Sequence, residues 1–168
     1  VAGRPLLEHV VQAAQALTPA AIHVVVGHGA DQVKAAMGAY PINWVLQAER
    51  KGTGHAVLQA MPAVMTDSSV LVLYGDVPLL KAATLEALVA KASEAPALLT
   101  AMVENPFGLG RVSRDERGVL LEVAEEKDAT SAQRQVKEIN TGVLAAPASE
   151  LLQYLPQVGS DNKQGEYY

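Results

Sequence analysis

The 168-residue sequence contains no cysteine. That removes disulfides, thiolate zinc sites and thiol nucleophiles together, and it fits a reducing cytoplasm. Large aromatics are almost as scarce, with one Phe and one Trp, so the core has to come from Leu, Val and Ala, as where helices pack on a sheet. Positive charge is in deficit: 13 Lys and Arg stand against 18 Asp and Glu, a net charge of -5. This balance argues against a nucleic-acid duplex or an anionic membrane as partner. No apolar run approaches a membrane span, and no signal-peptide pattern is visible. An initiator Met is also missing. The chain opens at Val1, passes through Ala2-Gly3-Arg4-Pro5 into a helical pattern, and stops at Gln164-Gly165-Glu166-Tyr167-Tyr168, so both ends read as cut. The length suffices for one domain with a real core.

What is present alternates between two periodicities. Pro5 to Leu17 carries Leu6, Val10, Ala13 and Leu17 on one helical face, with Pro5 at the first helical position. A Val-rich strand from Ala21 to His28 follows, then a helix over Asp31 to Met37 and a strand over Ile42 to Gln47. The loop Ala48 to Gly54 opens a helix from His55 to about Met65. Ser69-Val70-Leu71-Val72-Leu73 reads as a strand buried on both faces and ends abruptly in Tyr74-Gly75-Asp76-Val77-Pro78. Leu85, Leu88, Val89 and Ala92 mark another helix, and Pro96 to Val103 another buried strand. Such β-α repetition predicts a doubly wound sheet. After Glu104 the rhythm changes: Arg111 to Ser113 and Val119 to Val123 flank a turn at Arg117-Gly118 as a hairpin. Glu138 to Ala145 predicts a strand, and Ser149 to Leu155 a helix.

Several familiar motifs fail on spacing. Gly27-His28-Gly29 and Gly52-Thr53-Gly54 each lack the third glycine of a dinucleotide fingerprint, with Gln32 and Val57 in its place. Lys51-Gly52-Thr53 has the ingredients of a phosphate loop in the wrong order. His23 and His28, five apart on one predicted strand, face opposite ways and do not share a metal.

Four features remain. Gln47 with Lys51-Gly52-Thr53-Gly54 joins a strand end to a helix start; an amide, a hydroxyl and free N–H groups there can read the edge of a planar base, or simply cap the helix. Asp76 stands at the carboxyl end of a central strand, where open α/β sheets bind ligands. It offers hard oxygen suited to Mg²⁺, or a cap for the following turn. Gly108-Leu109-Gly110-Arg111 is either bare backbone against a ligand or a hairpin connector. Glu125 opens the run Glu125-Glu126-Lys127-Asp128, ordinarily a solvated face. Asn140 interrupts the apolar strand Ile139-Asn140-Thr141-Gly142-Val143, where an unpaired amide is costly. A carboxylate and an amide facing one cavity suit a sugar's hydroxyls.

In order, Gln47, Gly52-Thr53-Gly54-His55-Ala56, Tyr74-Gly75-Asp76-Val77-Pro78-Leu79, Gly108-Leu109-Gly110-Arg111, Glu125-Glu126-Lys127-Asp128-Ala129 and Glu138-Ile139-Asn140-Thr141-Gly142 resemble one family. It is the uridyltransferase domain of bacterial bifunctional N-acetylglucosamine-1-phosphate uridyltransferases, which also carry a glucosamine-1-phosphate acetyltransferase. The resemblance runs to Asn162-Lys163-Gln164-Gly165-Glu166-Tyr167-Tyr168. It implies a Rossmann-like nucleotidyltransferase fold, with a mostly parallel central sheet, helices on both faces and a small β-hairpin insertion. The implied reaction transfers UMP from UTP to N-acetylglucosamine 1-phosphate, giving UDP-N-acetylglucosamine and pyrophosphate for peptidoglycan and lipopolysaccharide precursors. By position, Gln47, Gly52 and Thr53 would contact uracil; Tyr74 and Gly75 would line the nucleotide site; Asp76 would hold catalytic Mg²⁺; Gly110, Glu125 and Asn140 would bind the sugar.

The family pattern also includes an N-terminal strand and glycine-rich loop, Leu-Ala-Ala-Gly-x-Gly-Thr-Arg-Met followed by a lysine, and a later metal-binding asparagine. Val1 to Pro5 resembles the sequence just after that loop. Residues 1–168 are therefore expected to be the larger part of a catalytic domain, inactive alone, from a cytoplasmic protein that forms trimers through a β-helix domain. The alternatives are a related transferase for another sugar or base, or a non-catalytic sugar-nucleotide-binding module.

Overall fold

Short β-branched runs separated by helical stripes produce the expected alternation. The computed structural model describes residues 3–38 and 40–159; Val1, Ala2 and the closing Asn162 to Tyr168 segment lie outside the described residues. In chain order come α1 (Leu6–Gln15), β1 (His23–Val26), α2 (Ala30–Met37), β2 (Asn43–Leu46), α3 (Thr53–Ala60), β3 (Ser69–Val72), α4 (Ala82–Lys91) and β4 (Ala97–Met102). The hairpin β5 (Arg111–Arg114) and β6 (Leu120–Ala124) follows, then β7 (Glu138–Pro147) and α5 (Ala148–Tyr154). Pro5 sits at the N-cap of α1 rather than inside it, its φ of -56° already suited to a helix start. The third helix stops at Ala60 and continues only as a 3-10 turn over Met61–Ala63, because Pro62 supplies no N–H to extend it.

The α/β class holds, but among the described residues the expected predominance of parallel pairing does not. Among the described residues only β1 and β2 pair in parallel, His23 opposite Asn43 through Val26 opposite Leu46. The ten-residue β7 pairs antiparallel with β3, β4 and β5. Being antiparallel to a common neighbour, β3 and β4 are parallel to each other, so β3-α4-β4 is the anticipated β-α-β unit with β7 lying between its strands. The physical reason is the route into β7. It is entered from a hairpin rather than through a crossover helix, so it returns against its neighbours instead of alongside them.

The described core matches the composition. Leu85 and Leu88 of α4 and Ala92 at its C-cap pack on Val143 and Ala145 of β7, while Met61, Ala146, Ala148 and Leu151 form a second cluster where β7 enters α5. Leu85 is fully buried, so truncation to Ala costs about 2–5 kcal/mol. The single Phe, Phe107, is instead 79% exposed on the loop before β5. The β4–β7 register slips between Leu98 and Thr100, and Thr141 Oγ1 donates to the Leu99 carbonyl at 2.6 Å, satisfying the irregular segment. No described helix is long and apolar enough to cross a membrane.

Candidate active site

One cleft of about 400 Å³ gathers the sequence motifs from both halves of the chain. Thr53 and Gly54, in the first turn of α3, form one side; Tyr74, just past β3, lies between; Gly110, Glu125 and Asn140 stand opposite. Its size suits a small-molecule ligand.

Asn140 is placed by backbone and side chain together. Its N–H donates to the Gly110 carbonyl at 2.9 Å, tying the glycine loop to β7. Its Oδ1 accepts the Gly142 N–H at 2.7 Å, so the Nδ2 hydrogens are the part of the amide left to serve a ligand. Gly142 has φ 75°, and a Cβ there would lie 2.2 Å from Tyr74 Cε2. The bare α-carbon therefore admits the Tyr74 ring. Gly110 does the same for Glu125: a Cβ would stand 2.8 Å from Glu125 Oε1.

The acidic run after β6 divides into two environments. Glu125 lines the cleft, and burial, reinforced by nearby Asp128 and partly offset by Arg111, pushes its carboxyl above the usual range. Glu126 is held below that range by hydrogen bonds from Arg111 and from the Gly108 N–H. The Arg111 side chain is only 2% exposed and pairs through Nη2 with Glu126 Oε2 at 2.6 Å; its Nη1 donates to the Leu109 carbonyl. Gly108 N–H reaches the same Glu126 Oε2 at 3.0 Å. Arg111 and Glu126 thus clamp the 108–110 loop against the cleft, while Arg111 Nε is a buried donor without a partner. Removing Glu126 would leave the buried Arg111 guanidinium poorly compensated.

Gln47 and Gly52 adjoin the cleft rather than line it. Gln47 Nε2 donates to the Gly52 carbonyl at 3.1 Å and lies 2.9 Å from His55 Nδ1. Gly52 has φ 105° and ψ 178°, a conformation essentially confined to glycine. Gly75 and Asp76 are exposed on the turn after β3, outside the lining of the cleft. No cluster of three or more His, Asp or Glu side chains suited to a metal occurs among the described residues. Asp76 stands as a single exposed carboxylate, which fits a cation that takes one or two protein ligands and fills its shell from substrate phosphates. His28 lies in the turn beyond β1 rather than on the strand, whereas His23 begins β1 and its Nδ1 is buried without a partner.

Four residues escaped sequence reasoning as site residues in their own right. Arg111 and Glu126 look like a loop charge and a solvated run. His55 looks like an ordinary helix residue. Gly142 carried a usable signal, because a glycine inside a strand marks close approach by another group. A shallower depression of about 440 Å³ lies against the hairpin, bordered by Met102, Arg114, Gln133 and Glu138. Arg114 and Glu138 are committed to each other through bonds of 2.8 and 2.6 Å, so it lacks the convergent polar groups of the first cleft.

Comparison with known proteins agrees with this architecture. Bifunctional protein GlmU of Marinobacter nauticus is 53% identical over 169 residues, covering 100% of this chain and 37% of that protein. GlmU of Legionella pneumophila is 49% identical over 174 residues, covering 100% of this chain and 38% of that protein. The chain thus spans somewhat more than a third of the length of these curated relatives. Among solved structures, UDP-glucose pyrophosphorylase complexed with UDP-glucose superposes with a TM-score of 0.75 at 12% identity, over 97% of this chain and 71% of that one. A putative glucose-1-phosphate thymidylyltransferase from Bacillus anthracis gives 0.69 at 16% identity, over 88% and 60%. At such identities the likeness speaks for the fold alone. The model of the MobA-like NTP transferase domain matches residues 1–156, and with nearly the whole chain inside that match, this protein belongs to the MobA-like NTP transferase family.

Proposed function

We propose that this chain forms the larger part of a uridyltransferase domain that joins UTP to N-acetylglucosamine 1-phosphate, releasing pyrophosphate. The observation that carries the reading is the single cleft in which the first turn of α3 faces Gly110, Glu125 and Asn140. The identity to GlmU across the full chain supports the choice of substrates.

The nucleophile is a phosphate oxygen of the sugar phosphate, already anionic, so no general base is required. That oxygen bonds to the α-phosphorus of UTP while the bond from the α-phosphorus to the bridging oxygen breaks, and pyrophosphate leaves with its electron pair. Catalysis then consists of bringing two polyanions into line. Gln47, Gly52 and Thr53 hold the uracil, with Tyr74 and Gly75 along the nucleotide. Glu125 accepts from sugar hydroxyls, Asn140 Nδ2 donates to a sugar oxygen, and Gly110 leaves the room both need. Asp76 would hold a divalent cation, Mg²⁺, whose chemistry would be to neutralise charge on the α-phosphoryl group and the leaving pyrophosphate.

The test is pyrophosphate release by the whole protein with UTP, Mg²⁺ and a panel of sugar 1-phosphates. Fastest release with N-acetylglucosamine 1-phosphate supports the proposal. Preference for another sugar or nucleoside triphosphate replaces it with a related transferase. Tight UDP-N-acetylglucosamine binding with no release from any substrate makes the chain a binding module.

A further inference from the structure

The bonding around Gln47 contains more than a base contact. Gly52 O can only accept, so the side-chain atom 3.1 Å from it must be the amide nitrogen of Gln47. The same nitrogen lies 2.9 Å from His55 Nδ1, and its second hydrogen points there. His55 Nδ1 is therefore the unprotonated acceptor, and the imidazole proton resides on Nε2. Gln59 Nε2 stands 3.3 Å from that Nε2; two N–H donors cannot bond each other, so this tautomer requires the Gln59 amide to be turned over, with its oxygen toward the ring. Both hydrogens of Gln47 Nε2 are consumed inside the protein. Oε1 makes no hydrogen bond among the described residues, which leaves Gln47 a pure acceptor toward any ligand.

This fixes what the site can read. An acceptor beside the backbone N–H groups of a helix first turn complements the imide edge of uracil, where N3–H lies between two carbonyl oxygens. Cytosine presents an acceptor at N3, opposite Oε1. An amide free to turn over serves both bases, offering Oε1 to one and Nε2 to the other. An amide held at two points serves only the imide. Turning it over sacrifices one bond to Gly52 and a second to His55.

We infer that His55 is a positioning residue for base selection, locking the Gln47 amide so that its oxygen faces the pyrimidine. The inference rests on the reading of Gln47 as a base contact. It extends that reading by assigning discrimination between uracil and cytosine to a side chain that touches neither. Glu49, on the loop before α3, lies within electrostatic reach of His55, but the lock depends on the tautomer and the acceptor at Nδ1.

Binding of UTP and of CTP to the whole protein, measured separately by calorimetry without sugar phosphate, tests the lock apart from catalysis. One net hydrogen bond is worth about a factor of five, so His55→Ala should narrow the UTP-over-CTP preference about fivefold. His55→Asn, whose carboxamide oxygen can stand near the Nδ1 position, should restore most of it. Affinity for N-acetylglucosamine 1-phosphate should stay unchanged in both. If Gln47→Ala erases the preference but His55→Ala leaves it intact, the lock is overturned and the base contact stands. A preference unmoved by either substitution, or absent from the unmodified protein, overturns both. Failure of His55→Asn to restore what His55→Ala loses also overturns the lock, because the acceptor would then be irrelevant.

Discussion

Replacing Gly142 by Ala probes the contact that shapes the middle of the cleft. Gly142 has φ 75°, and holding a residue with a Cβ in left-handed backbone costs roughly 1–2 kcal/mol. The added methyl would also fall 2.2 Å from Tyr74 Cε2 and 2.7 Å from its Cζ and Oη, so the ring must leave its place. Forcing extra volume into a packed region adds about 1–3 kcal/mol. The two costs together reach about 2–5 kcal/mol, and at roughly 2–4 °C per kcal/mol the unfolding midpoint should fall by roughly 4–20 °C. Gly118 supplies the control. Its φ is 81° and nothing lies within 4 Å of a Cβ placed there, so Gly118→Ala carries the backbone cost alone, roughly 2–8 °C. In a double-mutant cycle, Tyr74→Ala should absorb much of the Gly142→Ala penalty while Tyr74→Phe should not, since the ring edge remains. Calorimetric unfolding of the four single variants and the two doubles measures this. A Gly142→Ala cost equal to that of Gly118→Ala, or no coupling to Tyr74, would refute the close-approach argument.

Three further outcomes follow from the same geometry. Asp76 is exposed, so Asp76→Asn should change stability by no more than about 0.5 kcal/mol, yet lower the rate of pyrophosphate release by orders of magnitude; an unchanged rate would remove the cation from Asp76. Asn140→Ala should raise KM for the sugar phosphate and leave UTP affinity nearly intact, and equal losses for both would indicate a folding defect. The Glu138 carboxyl is lowered from 4.5 to about 2, first by its hydrogen bond from Arg114 and then by one from Thr100. Its stabilising contribution is therefore complete above pH about 4.5 and lost as pH falls toward 2. In thermal unfolding across that window, the unmodified protein should lose more stability than Glu138→Gln, and identical pH profiles would dismiss the pair.

The elements were largely legible because each announces itself locally. The apolar run before Gly75 predicts a strand, found over Ser69–Val72 but only half-buried rather than covered on both faces, and the Arg117-Gly118 turn predicts the hairpin. What escaped is decided by residues distant in sequence. Nothing in Ile139-Asn140-Thr141-Gly142-Val143 says that it will enter between β3 and β4, which requires knowing where the hairpin returns the chain. The site shows the same division. Asn140 stands out because an amide inside an apolar strand demands a partner or a ligand. Glu125 and Glu126 are indistinguishable as adjacent carboxylates, and only the fold buries one toward the cleft and gives the other to Arg111. Gln47 and His55 lie close in sequence, yet their coupling depends on where Gly52, at a φ open mainly to glycine, aims its carbonyl.

The central claim is that one cleft holds both the nucleotide and the sugar. A crystal structure of the protein bound to UDP-N-acetylglucosamine tests it most directly. The account predicts uracil against Gln47, Gly52 and Thr53, with Gln47 Oε1 accepting from N3–H and the hexosamine between Gly110, Glu125 and Asn140. A sugar seated in the groove beside Arg114 and Glu138, or a uracil away from the start of α3, would contradict it.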